Sequence, residues 1–337
     1  MKILVLGGTG ATGRLIRDYL SHTTWDIHFS SRKPPKDASP EHIQLDVTKN
    51  HAADIIACYD WVINCTGPFE TLKNRVADLC ITAGTSAIDV NDSIDARRAI
   101  MQLDSAARAA QVSILTGFGL CPGLSTALMM SLPCSAATKV IMELTIGAGQ
   151  ASGAAAISSM FHTMHNGYRV LQHGTETIIP RTVPEQETIG YECPDIDIVN
   201  HIYPDVQDYE YRVRFSALKQ PMLVKLQTSR LFTLPLISGV LARFAAKKVT
   251  QRANETNSPQ PATLTATVAS AEETMKAVIT GKTSYEFTAL CAAATLVHIA
   301  ESPPSFGCYD LTGLPELRAP LLQFITDHGA TLSIDEG

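Results

Sequence analysis

The stretch ILVLGGTGATG, at residues 3–13, decides the fold class. A short apolar run predicts a buried strand, and a helical pattern begins directly after the glycines. Gly8, Gly10 and Gly13 have the spacing G-x-G-x-x-G, which allows a tight turn and a close approach of the backbone to a pyrophosphate. The N-terminus of the helix adds free N–H donors and a partial positive charge. The pattern predicts a dinucleotide site formed by Gly8, Thr9, Gly10, Ala11, Thr12 and Gly13; the alternative is a glycine turn without a ligand.

Outward from this turn, short apolar runs alternate with helical patterns through residue 116. Such alternation is typical of β-α-β units and a parallel sheet. The predicted fold class is α/β, with a Rossmann-type doubly wound parallel sheet. The predicted strands lie at residues 3–6, 27–30, 43–45, 61–64, 86–90 and 112–116, and the helices at 14–22, 72–83 and 94–110.

The end of the second predicted strand indicates which dinucleotide binds. Sites that prefer NAD usually place a carboxylate there, which accepts hydrogen bonds from the ribose 2′-hydroxyl. This chain has Ser31, Arg32 and Lys33 instead, and such cations bind a 2′-phosphate. We therefore expect NADP(H) to be preferred over NAD(H), with a solvated turn as the alternative. Asp46 and Val47, at the end of the third strand, are expected to contact the adenine.

Beyond residue 125 the segments become longer and less regular. Gln251–Pro261 is polar and predicts an exposed loop. Four further elements are predicted: a strand at 263–270, a helix at 285–300, a helix at 315–328 and a strand at 331–334.

Composition narrows the class of protein. The net charge of −6 over 337 residues does not favour a nucleic-acid surface. The first strand begins at once, without the apolar core of a secretory signal. The eight cysteines form no C-x-x-C pair, so we expect reduced thiols in a cytoplasmic protein and no metal site.

The longest apolar stretch, residues 231–246, is too short to span a bilayer, which takes about 20 apolar residues. Lys247 and Lys248 follow it. A buried or dimer-forming helix is the preferred interpretation, and contact of residues 231–248 with a membrane surface is the alternative.

Three ordered motifs extend the pattern beyond the glycine turn. They are VINCTGPF at residues 62–69, the set Cys80, Ala83, Gly84 and Asp89–Asp92, and GFGLCPGL at residues 117–124. With them the chain resembles the saccharopine dehydrogenase-like oxidoreductases over residues 1–130. The resemblance implies hydride transfer with NAD or NADP, in a reaction that joins amines to carbonyls or reverses that step.

The resemblance also implies a domain plan. A dinucleotide-binding domain is expected at residues 1–125, an inserted α+β substrate and dimerisation domain at 126–300, and a segment at 301–337 that returns to the first domain. By the same resemblance, Thr66, Gly67, Pro68 and Phe69 lie beside the nicotinamide ribose; the alternative is a plain turn after a buried strand.

Two differences from the motifs of known dehydrogenases argue against one substrate and exclude one mechanism. Saccharopine reductases carry Asp-Pro-Gly where this chain has Cys121, Pro122 and Gly123, so saccharopine is not the expected substrate. Short-chain dehydrogenases share the glycine turn but use a Tyr-x-x-x-Lys pair, and none of the nine tyrosines has a lysine four residues later. That mechanism is excluded.

Three further places hold candidate chemistry. His162 and His165 lie three residues apart, on one face of a helix if a helix forms, and either imidazole could donate a proton near neutral pH; the alternative is a surface helix. Asn91 and Asp92 follow a strand and could bind a substrate amine, or form a turn or helix cap. Cys121 is a candidate substrate contact or nucleophile, with a buried inert thiol as the alternative.

The sequence thus predicts an NADP(H)-dependent oxidoreductase that acts on an amino- or imino-acid-like small molecule, in a cytoplasmic homodimer. Two other classes remain open. One is a sensor that binds NADP(H) without catalysis, and the other is a membrane-peripheral NAD(P)-binding protein.

Overall fold

The computed structural model describes residues 1–34, 39–134, 136–148, 166–181, 188–216 and 260–335, together with Phe244, Ala245, Lys247 and Gln251. The chain divides into two units. The first comprises Met1–Ala127 and Tyr285–His328, and the second comprises Leu128–Ser284 and Gly329–Gly337.

The first unit contains a seven-stranded sheet whose strand pairs are all parallel. Its strands are β1 (Lys2–Leu6), β2 (Asp26–Ser31), β3 (His42–Gln44), β4 (Trp61–Asn64), β5 (Ser86–Asp89), β6 (Ser113–Thr116) and β14 (Gly307–Tyr309). The order β14-β6-β5-β4-β1-β2-β3 reverses between β1 and β4. This is the doubly wound arrangement, which confirms the predicted fold class, and ligands of such sheets bind at the carboxyl ends of the strands where the order reverses.

Helices connect these strands: α1 (Ala11–Leu20), α2 (Ala52–Ile56), α3 (Phe69–Leu72), α4 (Arg75–Ala83), α5 (Ile94–Met101) and α6 (Asp104–Ala109). Helix α7 (Leu124–Met129) follows β6 and precedes the first strand of the second unit. Two segments predicted as single helices are each divided. Lys73 adopts a φ of +47° and ends α3 before α4 begins. The helix predicted at 94–110 is interrupted near Leu103, where α5 ends and α6 starts.

The core of this unit follows from its parallel strands, which are covered on both faces. Ile3, Leu4, Val5 and Leu6 are completely buried, as expected for a strand at the centre of a doubly wound sheet. The side chains of Leu4 and Leu6 pack with apolar residues of α2, α4 and β4. The apolar run that opens the sequence therefore provides the central strand.

The chain returns to the first unit near its end. The helix α9 (Ser284–Glu301) leads to β14, which pairs with β6, and α10 (Arg318–Asp327) follows. A buried ion pair between Arg97 of α5 and Asp310 fastens this return. The domain plan from the sequence assigned residues 285–300 to the second domain, whereas the structure groups Tyr285–His328 with the first unit. Because the apolar residues of α9 are spread around the helix, its sequence alone shows no preferred packing face.

The second unit contains a mixed sheet in the order β15-β13-β12-β7-β11-β8-β9, with β10 also paired to β11. Its strands are β7 (Lys139–Ile146), β8 (Tyr168–Gln172), β9 (Thr175–Ile179), β10 (Thr188–Tyr191), β11 (Asp208–Phe215), β12 (Ala262–Ala269), β13 (Thr274–Gly281) and β15 (Thr331–Asp335), and its short helix is α8 (Val199–Ile202). The last strand pairs with β13 of this sheet, not with the first unit. An α+β second domain is confirmed. In the part of the chain that the structure describes, none of the helices has the length and hydrophobicity that a membrane span needs.

Candidate functional site

The point where the strand order reverses brings the turns after β1 and β4 into contact. Gly7 follows β1 with a φ of +74°, and a Cβ built there would lie 2.9 Å from the carbonyl oxygen of Cys65. Cys65 in turn donates its N–H to the carbonyl of Leu6 at 3.0 Å. Only glycine fits a position that combines this φ with such a close backbone. Gly7 was not among the predicted site residues, although it directly follows the strand in the glycine run.

The glycine turn is closed by its own backbone. Gly10 donates its N–H to the carbonyl of Gly7 at 2.9 Å, and Gly8 donates to the carbonyl of Ser30 at 3.0 Å. A Cβ on Gly13 would lie 2.6 Å from both the Gly7 oxygen and the Gly8 Cα. The glycines at 7, 10 and 13 therefore pack the strand, the turn and the first turn of α1 together.

The N-terminus of α1 is open to a ligand. Gly10 is exposed and caps the helix without a side-chain hydrogen bond, and the first turn contains no acidic residue. Free N–H groups and the helix dipole favour an anion at such a position. Glycine at the cap leaves room that a Cβ would take, so the residues present fit a dinucleotide pyrophosphate.

Arg14 braces the same turn from the helix. Its Nε and Nη2 both donate to the carbonyl of Thr9, at 2.9 and 2.7 Å. The guanidinium thereby holds the exposed side of the turn, a role that the sequence pattern did not show.

The end of β2 presents its cations to solvent. The Ser31 hydroxyl donates to the carbonyl of Lys33 at 2.8 Å and lies 2.8 Å from His42 Nε2. Gln44 Nε2 donates to the Arg32 carbonyl at 3.1 Å. The side chains of Arg32 and Lys33 are exposed. The backbone of this turn is thus held in place while both charged groups remain accessible to a phosphate.

The two residues predicted to contact adenine have other partners. The Asp46 carboxylate accepts hydrogen bonds from the N–H and the hydroxyl of Thr48, which lower its pKa. Val47 is buried, and its carbonyl accepts from Arg75 Nε at 2.9 Å. These contacts shape the turn after β3.

A buried hydrogen-bond network joins the turns after β4 and β5. Asn64 Nδ2 donates to Asp89 Oδ2 at 2.9 Å, and Asn64 Oδ1 accepts the N–H of Thr66 at 3.0 Å. Asp89 Oδ1 accepts the N–H of Asn91 at 2.8 Å. Burial raises the pKa of Asp89 to about 7, against the lowering effect of both hydrogen bonds. Asn64 and Asp89 were not predicted as site residues, although both lie in the motifs that carry the family resemblance.

Asn91 and Asp92 have different surroundings. Asn91 is fully buried and its amide group bonds both to the N–H and to the carbonyl of Ser93, which caps α5. Solvent reaches the Asp92 side chain, yet the dense protein around it and the charge of Glu70 raise its pKa to about 7. Asp92 is thus available to a ligand, whereas Asn91 shapes the turn.

The turn after β6 is almost wholly buried. Phe118 donates its N–H to the carbonyl of Asp89 at 3.0 Å, which links this turn to the network. Cys121 is buried within it. The hydroxyls of Thr116 and Ser125 are also buried and have no hydrogen-bond partner among the described residues.

The structure therefore brings the glycine turn after β1, the Thr66 turn after β4 and the Asp92 turn after β5 to one edge of the parallel sheet. The Ser31 turn lies at the same edge, after β2, which is the neighbour of β1. His162 and His165 lie outside the described residues, as do nearly all of residues 231–248. Within the described residues, no group of three or more His, Cys, Asp or Glu side chains could hold a metal ion.

Comparison with known families agrees with this geometry. Residues 3–115 match the family model for the saccharopine dehydrogenase NADP binding domain. The nucleotide-binding domain is saccharopine dehydrogenase-like. The match covers β1 through most of β6 and includes the glycine turn, the Ser31 turn, the Thr66 turn and the Asp89 network.

Solved structures share the fold of the whole chain. Apo saccharopine dehydrogenase (L-Glu forming) from Saccharomyces cerevisiae matches with a TM-score of 0.63 and 13% identity over 99% of each chain. A meso-DAPDH mutant with DAP from Clostridium tetani matches at 0.51 and 13% over 95% of each chain. An engineered D-amino acid dehydrogenase matches at 0.50 and 13%, over 92% of this chain and 93% of the other. No curated protein matches the chain.

Proposed function

We propose that this chain is an NADP(H)-dependent oxidoreductase that transfers hydride to or from an amino- or imino-acid-like small molecule. The match to the NADP binding domain family and the two-domain dehydrogenase fold support a nicotinamide-dependent oxidoreductase. The observation that carries the proposal is the open glycine turn at the reversal of the strand order, with exposed cations at the end of the neighbouring strand β2.

The residues that would hold the cofactor divide by chemistry. Gly8–Gly13 would receive the pyrophosphate on backbone N–H groups, while Ser31, Arg32 and Lys33 would receive the 2′-phosphate through charge-assisted hydrogen bonds. Thr66–Phe69 would lie along the nicotinamide half. When bound, the cofactor supplies or accepts the hydride, and the protein supplies orientation and electrostatics.

The substrate class rests on Asp92 and on the names of the structural neighbours. An accessible carboxyl at the end of β5 would pair with a substrate amine. The neighbours include a saccharopine dehydrogenase and an engineered D-amino acid dehydrogenase. We retain His162 or His165 as the proposed proton donor and Cys121 as a proposed wall of the substrate pocket.

The test has a binding arm and a turnover arm. NADPH and NADH are titrated into the full chain, and NADPH consumption is then followed with panels of 2-oxo acids plus amines and of cyclic imines. We expect tighter binding of NADPH and consumption with at least one member of a panel. Binding of NADPH without consumption across both panels would support the sensor class, and no binding of either cofactor would reject the proposal.

A further inference from the structure

Asp89 connects all three turns on one side of the strand reversal. Its carboxylate bonds to Asn64, which holds the Thr66 turn, and to the N–H of Asn91 in the turn after β5. Its backbone carbonyl accepts the N–H of Phe118 in the turn after β6. A single residue, only 3% exposed, therefore links the carboxyl ends of β4, β5 and β6.

The hydrogen bonds to this carboxyl suit its charged form. Asn64 Nδ2 and the Asn91 N–H are both donors, so each carboxylate oxygen accepts one hydrogen bond and needs no proton of its own. The titratable groups that act on it are Asp92 and the thiols of Cys65 and Cys80. Among the described residues, Asp89 forms no ion pair with a cationic side chain. When ionised it is a buried negative charge without a counter-charge.

The position of this charge matters for a dinucleotide. A ligand that crosses the strand reversal with its 2′-phosphate at the end of β2 has its other half over β4, β5 and β6. That half is the nicotinamide, which is a cation when oxidised and neutral when reduced. A buried anion nearby attracts the cation more strongly than an exposed one, because the local dielectric is low.

We propose that the Asp89 carboxylate, held by Asn64, is a fixed charge that makes the site favour the oxidised nicotinamide over the reduced one. This inference rests on the proposed function. Asp89 is a positioning residue in this role: it acts through the turns that it holds and through its field, without touching the reacting atoms.

Two variants separate the charge from the hydrogen bonds. Asp89→Asn removes the charge. The oxygen of the new amide can still accept the Asn91 N–H, but its nitrogen then faces Asn64 Nδ2, which is also a donor. The double variant Asn64→Asp with Asp89→Asn exchanges the two side chains. The nitrogen of the new amide at position 89 then donates to the new carboxylate at position 64, which still accepts the Thr66 N–H. The oxygen of the new amide accepts the Asn91 N–H. Every hydrogen bond and the total charge are kept, and the charge moves only from β5 to β4.

Calorimetry on the full chain, above the pKa of about 7, compares NADP⁺, NADPH and 2′-phospho-ADP-ribose, which lacks the nicotinamide. We expect Asp89→Asn to lower the ratio of NADP⁺ to NADPH affinity on the order of tenfold, as for a charge pair at intermediate dielectric. Affinity for 2′-phospho-ADP-ribose should change little, and the double variant should restore most of the ratio.

Equal weakening of NADP⁺ and NADPH in Asp89→Asn, with the ratio unchanged, would overturn the proposal and leave a structural residue. Fluorescence of Trp25 and Trp61, the only tryptophans in the chain and both in the first unit, verifies that each variant is folded. If Asp89→Asn does not fold, Asp89→Ser takes its place. The ratio of NADP⁺ to NADPH affinity should then fall in Asp89→Ser and stay close to the wild-type value in the double variant. An unchanged ratio in Asp89→Ser would overturn the proposal. Failure of wild type to bind any of the three ligands would instead reject the proposed function.

Discussion

At the end of β2 the charged side chains are exposed cations, whereas at the ends of β4 and β5 the network is buried and contains an anion. Arg32 and Lys33 project into solvent from a turn held by backbone contacts. Asp89 is enclosed and held on both carboxylate oxygens. Both regions lie at the carboxyl edge of the same parallel sheet.

The difference separates two properties of a dinucleotide site. Exposed cations act through water, so their effect on a phosphate is specific but screened by salt. A buried carboxylate acts at low dielectric and is screened much less, but its burial costs stability. We call Arg32 and Lys33 the exposed end of the site and Asp89 with Asn64 its buried end. The exposed end is expected to distinguish NADP from NAD, and the buried end to distinguish oxidised from reduced nicotinamide.

The largest effect is expected where both ends depend on one element, the glycine turn. Gly10→Val should weaken every dinucleotide by more than about 100-fold, because a side chain would stand between the backbone and the pyrophosphate. Gly10 is exposed, and a Cβ there would approach only the Gly7 oxygen, at 3.1 Å. The variant should therefore stay folded, which tryptophan fluorescence measures, while titration calorimetry measures the loss of binding.

Gly13→Val is the matched contrast. Gly13 is buried, and a Cβ there would lie 2.6 Å from backbone atoms of Gly7 and Gly8. This variant should lose folding of the first unit, not only binding. Retained affinity in a folded Gly10→Val protein would remove the glycine turn from the site.

The buried carboxyl of Asp89 should make the stability of the ligand-free protein depend on pH. Burial raises the pKa of Asp89 from an ordinary 3.8 to about 7, so between these values the folded chain keeps a proton that the unfolded chain has lost. The free energy of unfolding should fall as the pH rises through this window, and then stay level. Relative to Asp89→Asn, wild type should lose on the order of 2–4 kcal/mol between about pH 4 and pH 7.

Urea unfolding followed by tryptophan fluorescence measures this difference for the first unit alone. Asp92, whose pKa is also raised to about 7, is present in both proteins, so the difference contains only its coupling to Asp89. If the difference in stability between wild type and Asp89→Asn does not depend on pH, Asp89 does not titrate in this window. The proposed difference between an exposed and a buried charge would then be wrong.

At the exposed end, Arg32→Ala should weaken NADPH by about 10–100-fold, the size of a charge-assisted contact of roughly 1.5–3 kcal/mol. NADH should be almost unaffected, since it carries no 2′-phosphate. Salt should weaken NADPH binding to wild type more than to the variant. Titration of both cofactors at two salt concentrations checks this, and equal losses for NADPH and NADH would assign Arg32 a structural role.

The smallest effect concerns Arg14, which donates twice to the Thr9 carbonyl. Arg14→Ala should weaken NADPH and NADH alike by a few-fold, on the order of one lost hydrogen bond, with the preference between them unchanged. Arg17→Ala, one turn further along α1, is the control because Arg17 contacts Asp18 and Phe29 but not the turn. A shifted preference in Arg14→Ala would place its guanidinium at the 2′-phosphate.

The exposed end was predictable from the sequence, because residue type and position after a strand suffice to place Arg32 and Lys33. The parallel sheet was predictable for a similar reason, since apolar runs alternate with helical patterns. Asn64 and Asp89 were not, because their pairing joins residues 25 positions apart and depends on the register of β4 with β5. Helix α9 and strand β15 show the same limit: an evenly apolar helix and a short edge strand do not encode which unit they join.

Both ends of the site can act on a dinucleotide only if the chain binds NADP(H), and a titration of the wild type measures this binding. Wild-type chain is titrated with NADPH and with NADH under identical conditions of pH and salt, with fluorescence energy transfer from tryptophan as the signal. Both cofactors should bind, and NADPH should bind about 10–100-fold more tightly because of the phosphate contacts alone. Equal affinities, a preference for NADH, or no binding of either would contradict this prediction.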